Sequence, residues 1–143
     1  ATRCYVVGEG TEVANKLVEV AKNSFSEGIK YAKPGNRISD ISHAIQEYVE
    51  KNGFSVVREY QGHGIGRDMH EDPGVPNYGK SGRGPRLEAG MVLAIEPMIN
   101  EGTYDIITEP DGWTVLTRDG KLSAHYENTI VITKNGPEIL TTL

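Results

Sequence analysis

Apolar residues recur at every third or fourth position from Thr11 to Lys30: Val13, Leu17, Val20, Ala21, Phe25 and Ile29. That period gathers them on one stripe of a helix, and Thr11 offers its hydroxyl as an N-cap. Lys33-Pro34-Gly35 breaks the pattern. A second stripe, Ile41, Ala44, Ile45, Tyr48 and Val49, predicts another helix with Ser39 as N-cap and Gly53 as its stop. Beyond Gly53 the chain turns strand-like. Phe54–Val57, Met91–Ile99, Trp113–Thr117 and Ala124–Thr133 read as strands, as does the opening Cys4–Val7. Asp119-Gly120 predicts a hairpin between Trp113–Thr117 and Ala124–Thr133, and Asn135-Gly136 turns the chain into a last strand near Glu138–Thr141. Gly-rich Gln61–Gly66 and a loop containing Pro73, Pro76 and Pro85 join these pieces. With no repeat and no linker, the pattern predicts one α+β unit, helices first and sheet after.

Composition narrows the function. The 143 residues carry 15 Lys+Arg against 20 Asp+Glu, a formal charge of −5. Phosphate binding needs concentrated positive charge, so no direct nucleic-acid specificity is expected. Cys4 is the single cysteine and can form no internal disulfide. No apolar run approaches the ~20 residues of a membrane span, and Ala1–Gly10 lacks the regions of a signal peptide. The expectation is a cytoplasmic protein with no membrane partner.

Two acids stand out against the strand pattern. In Met91–Ile99, Glu96 shares a face with Val92, Ala94 and Met98, while Leu93 and Ile95 point the other way. Glu127 shares a face with Thr129 and Val131 in the next long apolar segment. A carboxylate in so apolar a strand is costly to bury without a partner. One such Glu is best read as salt-bridged or solvated; two point to a shared cation. His63 is flanked by Gly62 and Gly64, which let other backbone approach closely. One imidazole with several carboxylates suits Mn²⁺, Fe²⁺, Co²⁺ or Zn²⁺ rather than a thiolate zinc site. His70 lies seven residues from His63, a spacing that does not make the two chelate together. It is a candidate to hydrogen-bond substrate. No Gly-x-Ser-x-Gly elbow, phosphate loop, dinucleotide fingerprint or His-Glu-x-x-His helix is present.

Four ordered motifs carry a resemblance: Tyr60–Arg67, His70-Glu71-Asp72-Pro73, Ala94-Ile95-Glu96-Pro97-Met98 and Ser123–Val131, with Asp111-Gly112-Trp113-Thr114 fitting the same pattern. In order and spacing they resemble type I methionine aminopeptidases, over the whole chain. Prolidases and aminopeptidase P, of the same pita-bread fold, typically have Glu-Pro-Gly where this chain has Glu96-Pro97-Met98. The type II enzymes usually have Ser at the position of Ile65.

The resemblance implies the second half of a pita-bread fold, an antiparallel sheet with helices on one face. It implies a single unit over residues 1–143, and a hydrolase that removes N-terminal methionine from peptides and nascent chains with metal-activated water. His63, Glu96 and Glu127 match metal ligands, and Glu96 also matches the general base. His70 matches a catalytic histidine at the substrate carbonyl, while Met69 and Trp113 match positions that border the methionine pocket. Plain core packing is the competing role for Met69 and Trp113. Two divalent ions ~3.5–4 Å apart, as in aminopeptidases, lower the pKa of a shared water and polarise the carbonyl. The ribosome is a candidate partner of such an enzyme. Gln61, His125 and Asn128 depart from the commonest residues, at positions that support the ligands and so bear on metal preference. The resemblance also implies two Asp ligands and a further His in an upstream half before Ala1, so the 143 residues alone are expected to be inactive. The rivals are a pita-bread scaffold without catalysis and an Xaa-Pro peptidase.

Overall fold

The computed structural model describes residues 1–142. Its two helices are α1, Glu12–Ile29, and α2, Ile38–Lys51. The Thr11 hydroxyl accepts from Ala14 N at 3.2 Å, meeting one of the donors a helix start leaves unpaired. Helix α2 begins before Ser39. Arg37 is the N-cap, and its backbone N–H donates to the Asp40 carboxylate at 2.7 Å. Ser39 instead ties α2 to the proline-containing loop, donating to Arg83 O at 2.8 Å and accepting from Arg83 N at 2.6 Å. Its hydroxyl is engaged outside the helix and leaves the cap to Arg37.

Ten strands follow: β1 Ser55–Val56, β2 Gly62–Gly64, β3 Glu71–Val75, β4 Val92–Ile95, β5 Met98–Asn100, β6 Ile106–Thr108, β7 Val115–Thr117, β8 Ser123–His125, β9 Asn128–Thr133 and β10 Gly136–Ile139. They form a five-stranded sheet in the order β10-β9-β4-β2-β3, a three-stranded sheet β1-β5-β8 and a separate pair β6-β7. Every pairing is antiparallel. One register runs through both larger sheets: Leu93 faces Ile130 and Met98 faces His125 as parts of a single long ribbon. The ladder breaks where Glu96-Pro97 meets Tyr126-Glu127. Pro97 has no N–H to donate, but its carbonyl still accepts from Tyr126 N at 3.1 Å, so the register survives the break.

This alternation sorts the two faces. Leu93, Ile95, Ile99, Ala124, Ile130 and Ile132 are buried in one core with Leu17, Phe25, Ile41, Ile45 and Val49 of the helices. Each Leu, Ile, Val or Phe among them contributes roughly 1.5–3 kcal/mol when fully buried. Both helices lie on that face. Glu96 and Glu127 belong to the other.

Beyond the cap of α2, the Gly-rich Gln61–Gly66 and the stretch holding Pro73, read as joining segments, contribute β2 and β3, and two strand expectations fail. Cys4–Val7 forms no strand. Only Thr2 makes a bridge, to Glu127, while Tyr5 and Val7 are 77% and 96% exposed. Without a neighbour on that side among the described residues, β-forming side chains cannot make a strand. Asp119-Gly120 does turn the chain, yet β7 pairs with β6 rather than β8. Strand β8 is claimed by β5, where Ala124 joins the core.

Candidate metal centre

Strand β2 presents His63 opposite Ala94 on β4. Its flanking glycines serve close approach. A Cβ on Gly62 would collide with Ala94 O, and one on Gly64 with Asp72 O. Neither glycine has positive φ, so tight backbone contact, not an unusual dihedral, demands them. The His63 ring is further fixed by Nδ1, 2.9 Å from Gly64 O. A carbonyl can only accept, so Nδ1 carries the proton and Nε2 keeps its lone pair.

That Nε2 lies 3.5 Å from Glu96 Oε1, with both side chains mostly buried. The two side chains stand close enough that both would hold one divalent ion. Glu96 is anchored through its backbone: Asn77 Nδ2 donates to Glu96 O at 3.2 Å, and Asn77 is fully buried. The other carboxylate oxygen of Glu96 lies 3.6 Å from Nε2 of His125. That nitrogen is buried and has no hydrogen-bond partner.

Glu127 sits across the ribbon from Glu96, on the same face by register. Its carboxylate turns toward the start of the chain. Thr2 Oγ1 donates to Oε2 at 2.7 Å. Burial pushes the Glu127 carboxyl upward, and the Thr2 hydroxyl pulls it back down. Arg3 fixes this arrangement. Its guanidinium donates to Asn128 Oδ1 at 2.7 Å and to Glu127 O, and stacks 4.3 Å above the Tyr126 ring.

His63 and Glu96 are thus brought together, and His70 joins them, its ring centroid 4.1 Å from that of His63. Glu127 shares the face, but among the described residues no three His, Cys, Asp or Glu side chains form a cluster able to hold an ion by themselves. Trp113 and His125 line a cavity of about 670 Å³, with Tyr60, Met98, Ile106 and Leu116. Met69 is 74% exposed and does not line it. The resemblance places His125 only at a position that supports the ligands, without saying which one it touches. Its signal was positional: two residues before Glu127 on an alternating strand, it faces the same way.

The donor set and the cavity can now be set beside known proteins. The sequence pattern of metallopeptidase family M24 matches residues 1–134. The chain is 61% identical to a methionine aminopeptidase of Clostridium acetobutylicum over 99% of its own length and 56% of the relative's. It superposes on the crystal structure of methionine aminopeptidase from Thermotoga maritima with a TM-score of 0.95 and 52% identity, covering 97% of this chain and 56% of that one. An X-Pro aminopeptidase from the same bacterium, at 24% identity and a TM-score of 0.72, shares the fold alone. The chain therefore spans little more than half the length of these curated methionine aminopeptidases. No helix among the described residues is long and apolar enough to cross a membrane. A mixed sheet-and-helix half of the pita-bread fold, with an imidazole and a carboxylate on its helix-free face and divalent metal as the implied cofactor class, belongs to metallopeptidase family M24.

Proposed function

We propose that the natural protein carrying this chain is a methionine aminopeptidase that removes initiator Met from peptides and from nascent chains at the ribosome. The observation that carries this reading is the His63–Glu96 apposition at 3.5 Å beside a largely apolar cavity. The residues present fit a divalent cation: one imidazole with a free lone pair and two carboxylates on one face, with Glu127 Oε1 unbonded among the described residues. In this reading His63, Glu96 and Glu127 hold two ions of Co, Mn, Fe or Zn, and two Asp donors preceding Ala1 complete the set. Such a pair, when bound, supplies an acidified water and a polarised carbonyl.

The protein groups do the rest. Glu96 accepts the proton of the attacking water and delivers it to the leaving amine as the Met carbonyl carbon–nitrogen bond breaks. His70 donates a hydrogen bond to the oxygen that gains charge. Trp113, Met98 and the aliphatic wall of the cavity receive the unbranched, polarisable Met side chain.

The test is release of Met from a Met-Ala-Ser peptide by the natural polypeptide, with Co²⁺ or Mn²⁺ added and then chelated. Metal-dependent release is expected, lost in His63→Ala. Cleavage of Xaa-Pro peptides in preference, or no metal-dependent cleavage at all, would sink the assignment.

A further inference from the structure

Two imidazoles flank the Glu96 carboxylate, and the hydrogen-bonding around them assigns them different work. His63 Nδ1 is committed to Gly64 O at 2.9 Å, so its Nε2 offers a lone pair. No hydrogen bond fixes the tautomer of His125 among the described residues, and its Nε2 is buried without a partner. The nearest charged oxygen is Glu96 Oε2 at 3.6 Å. A buried ring nitrogen in that position must find a partner when the site closes, and a carboxylate oxygen accepts only.

We infer that His125 is a positioning residue for Glu96: its Nε2–H donates to Glu96 Oε2 and so aims Oε1 at His63. This rests on the metal-centre reading above and extends it. The gap must shrink by about half an ångström to become a hydrogen bond, a usual tightening when a site fills. The backbone makes that small motion sufficient. His125 is held opposite Met98 in the β5–β8 ladder, and its N–H donates to Cys4 Sγ at 3.3 Å. Glu96 is held by Asn77. With both backbones fixed, only the two side-chain rotors adjust. A carboxylate gripped on one oxygen presents the other in one orientation, which preorganises it as ligand and as proton acceptor.

The experiment uses the natural protein carrying this chain and Co²⁺ alone as the probe, followed by its visible absorption. His125→Ala is expected to weaken Co²⁺ binding by roughly 10–100-fold without changing the number of ions bound. Gln at 125 keeps an N–H at similar reach, so His125→Gln should recover affinity to within about threefold. Turnover of Met-Ala-Ser should follow the same order in kcat, with KM little changed. If His125→Ala does not fold, His125→Asn, too short to reach Glu96, takes its place. Unchanged Co²⁺ affinity in the shortened variant overturns the inference. So does a Gln variant that fails as badly as Ala and loses one equivalent of Co²⁺, the mark of a direct ligand. His63→Ala separates the two layers: if it leaves Co²⁺ binding untouched, the metal-centre reading itself is wrong.

Discussion

Replacing Gly64 by Ala keeps every candidate ligand and disturbs only how one of them is held. In an ordinary strand this change is favourable, by ~0.5–1 kcal/mol, because Gly loses more freedom on folding. Gly64 has no positive φ, so Ala meets no dihedral penalty there. Contact decides the sign. The new Cβ would collide with Asp72 O, and would stand 2.8 Å from Asp72 C and 3.0 Å from Glu71 O. These are backbone atoms of β3 and cannot rotate away. Ordinary contact distances require β2 and β3 to part by about 1 Å, which stretches their ladder hydrogen bonds past useful length. Overpacking costs ~1–3 kcal/mol and each weakened buried bond ~1 kcal/mol more, so a net loss of roughly 2–3 kcal/mol is expected. His63 rides on the displaced strand, so Co²⁺ affinity should fall along with stability. Urea unfolding with and without Co²⁺ measures both. A variant as stable as its parent, with unchanged Co²⁺ affinity, would refute the close β2–β3 approach and the role assigned to both glycines.

Two further outcomes follow from the geometry. Asp40 is held below its ordinary carboxyl value of 3.8, first by the Ser81 hydroxyl and then by the Arg37 backbone N–H, against a small opposing effect of burial. Its contribution is therefore full above that value and disappears as pH falls below it. The stability difference between the parent and Asp40→Asn in urea melts should accordingly shrink to nothing in strong acid, and a difference that grows there would contradict it. His70→Ala in the natural protein should lower kcat for Met-Ala-Ser by roughly 10²–10³-fold, the worth of one donor to developing oxyanion charge. A change confined to KM would assign His70 to ground-state binding.

Local physics made much of this molecule legible before any coordinates. The helices were readable because period and caps agree: Phe25 and Ile45 fall on their stripes, and the Thr11 hydroxyl and Gly53 close the ends. Alternation alone assigned Leu93 and Ile95 to one face and Glu96 to the other. What escaped depended on partners distant in sequence. The pairing of β7 with β6 was set by the capture of β8 by β5, which no turn dipeptide encodes. The tyrosine and valine of Cys4–Val7 have strand-forming shapes but no neighbour to pair with among the described residues. The partner of His125 was hidden for a related reason. It is a carboxylate 29 positions earlier, reached only because the ribbon keeps its register through a proline.

That unbroken register sets which length changes the chain can absorb. Losing or gaining one residue in Val92–Ile95 or Asn128–Thr133 would rotate everything beyond it by half a pleat. The carboxylates would then lie beneath the helices and Leu93 or Ile130 would face the cavity, so core and site would fail in the same event. The β6–β7 hairpin belongs to neither large sheet and so is free of that register, though Ile106, Trp113 and Leu116 tie it to the cavity. Insertions and deletions among descendants of this sequence should therefore be absent from the ribbon. Through its parity, the ribbon makes hydrophobic burial the guardian of the donor arrangement.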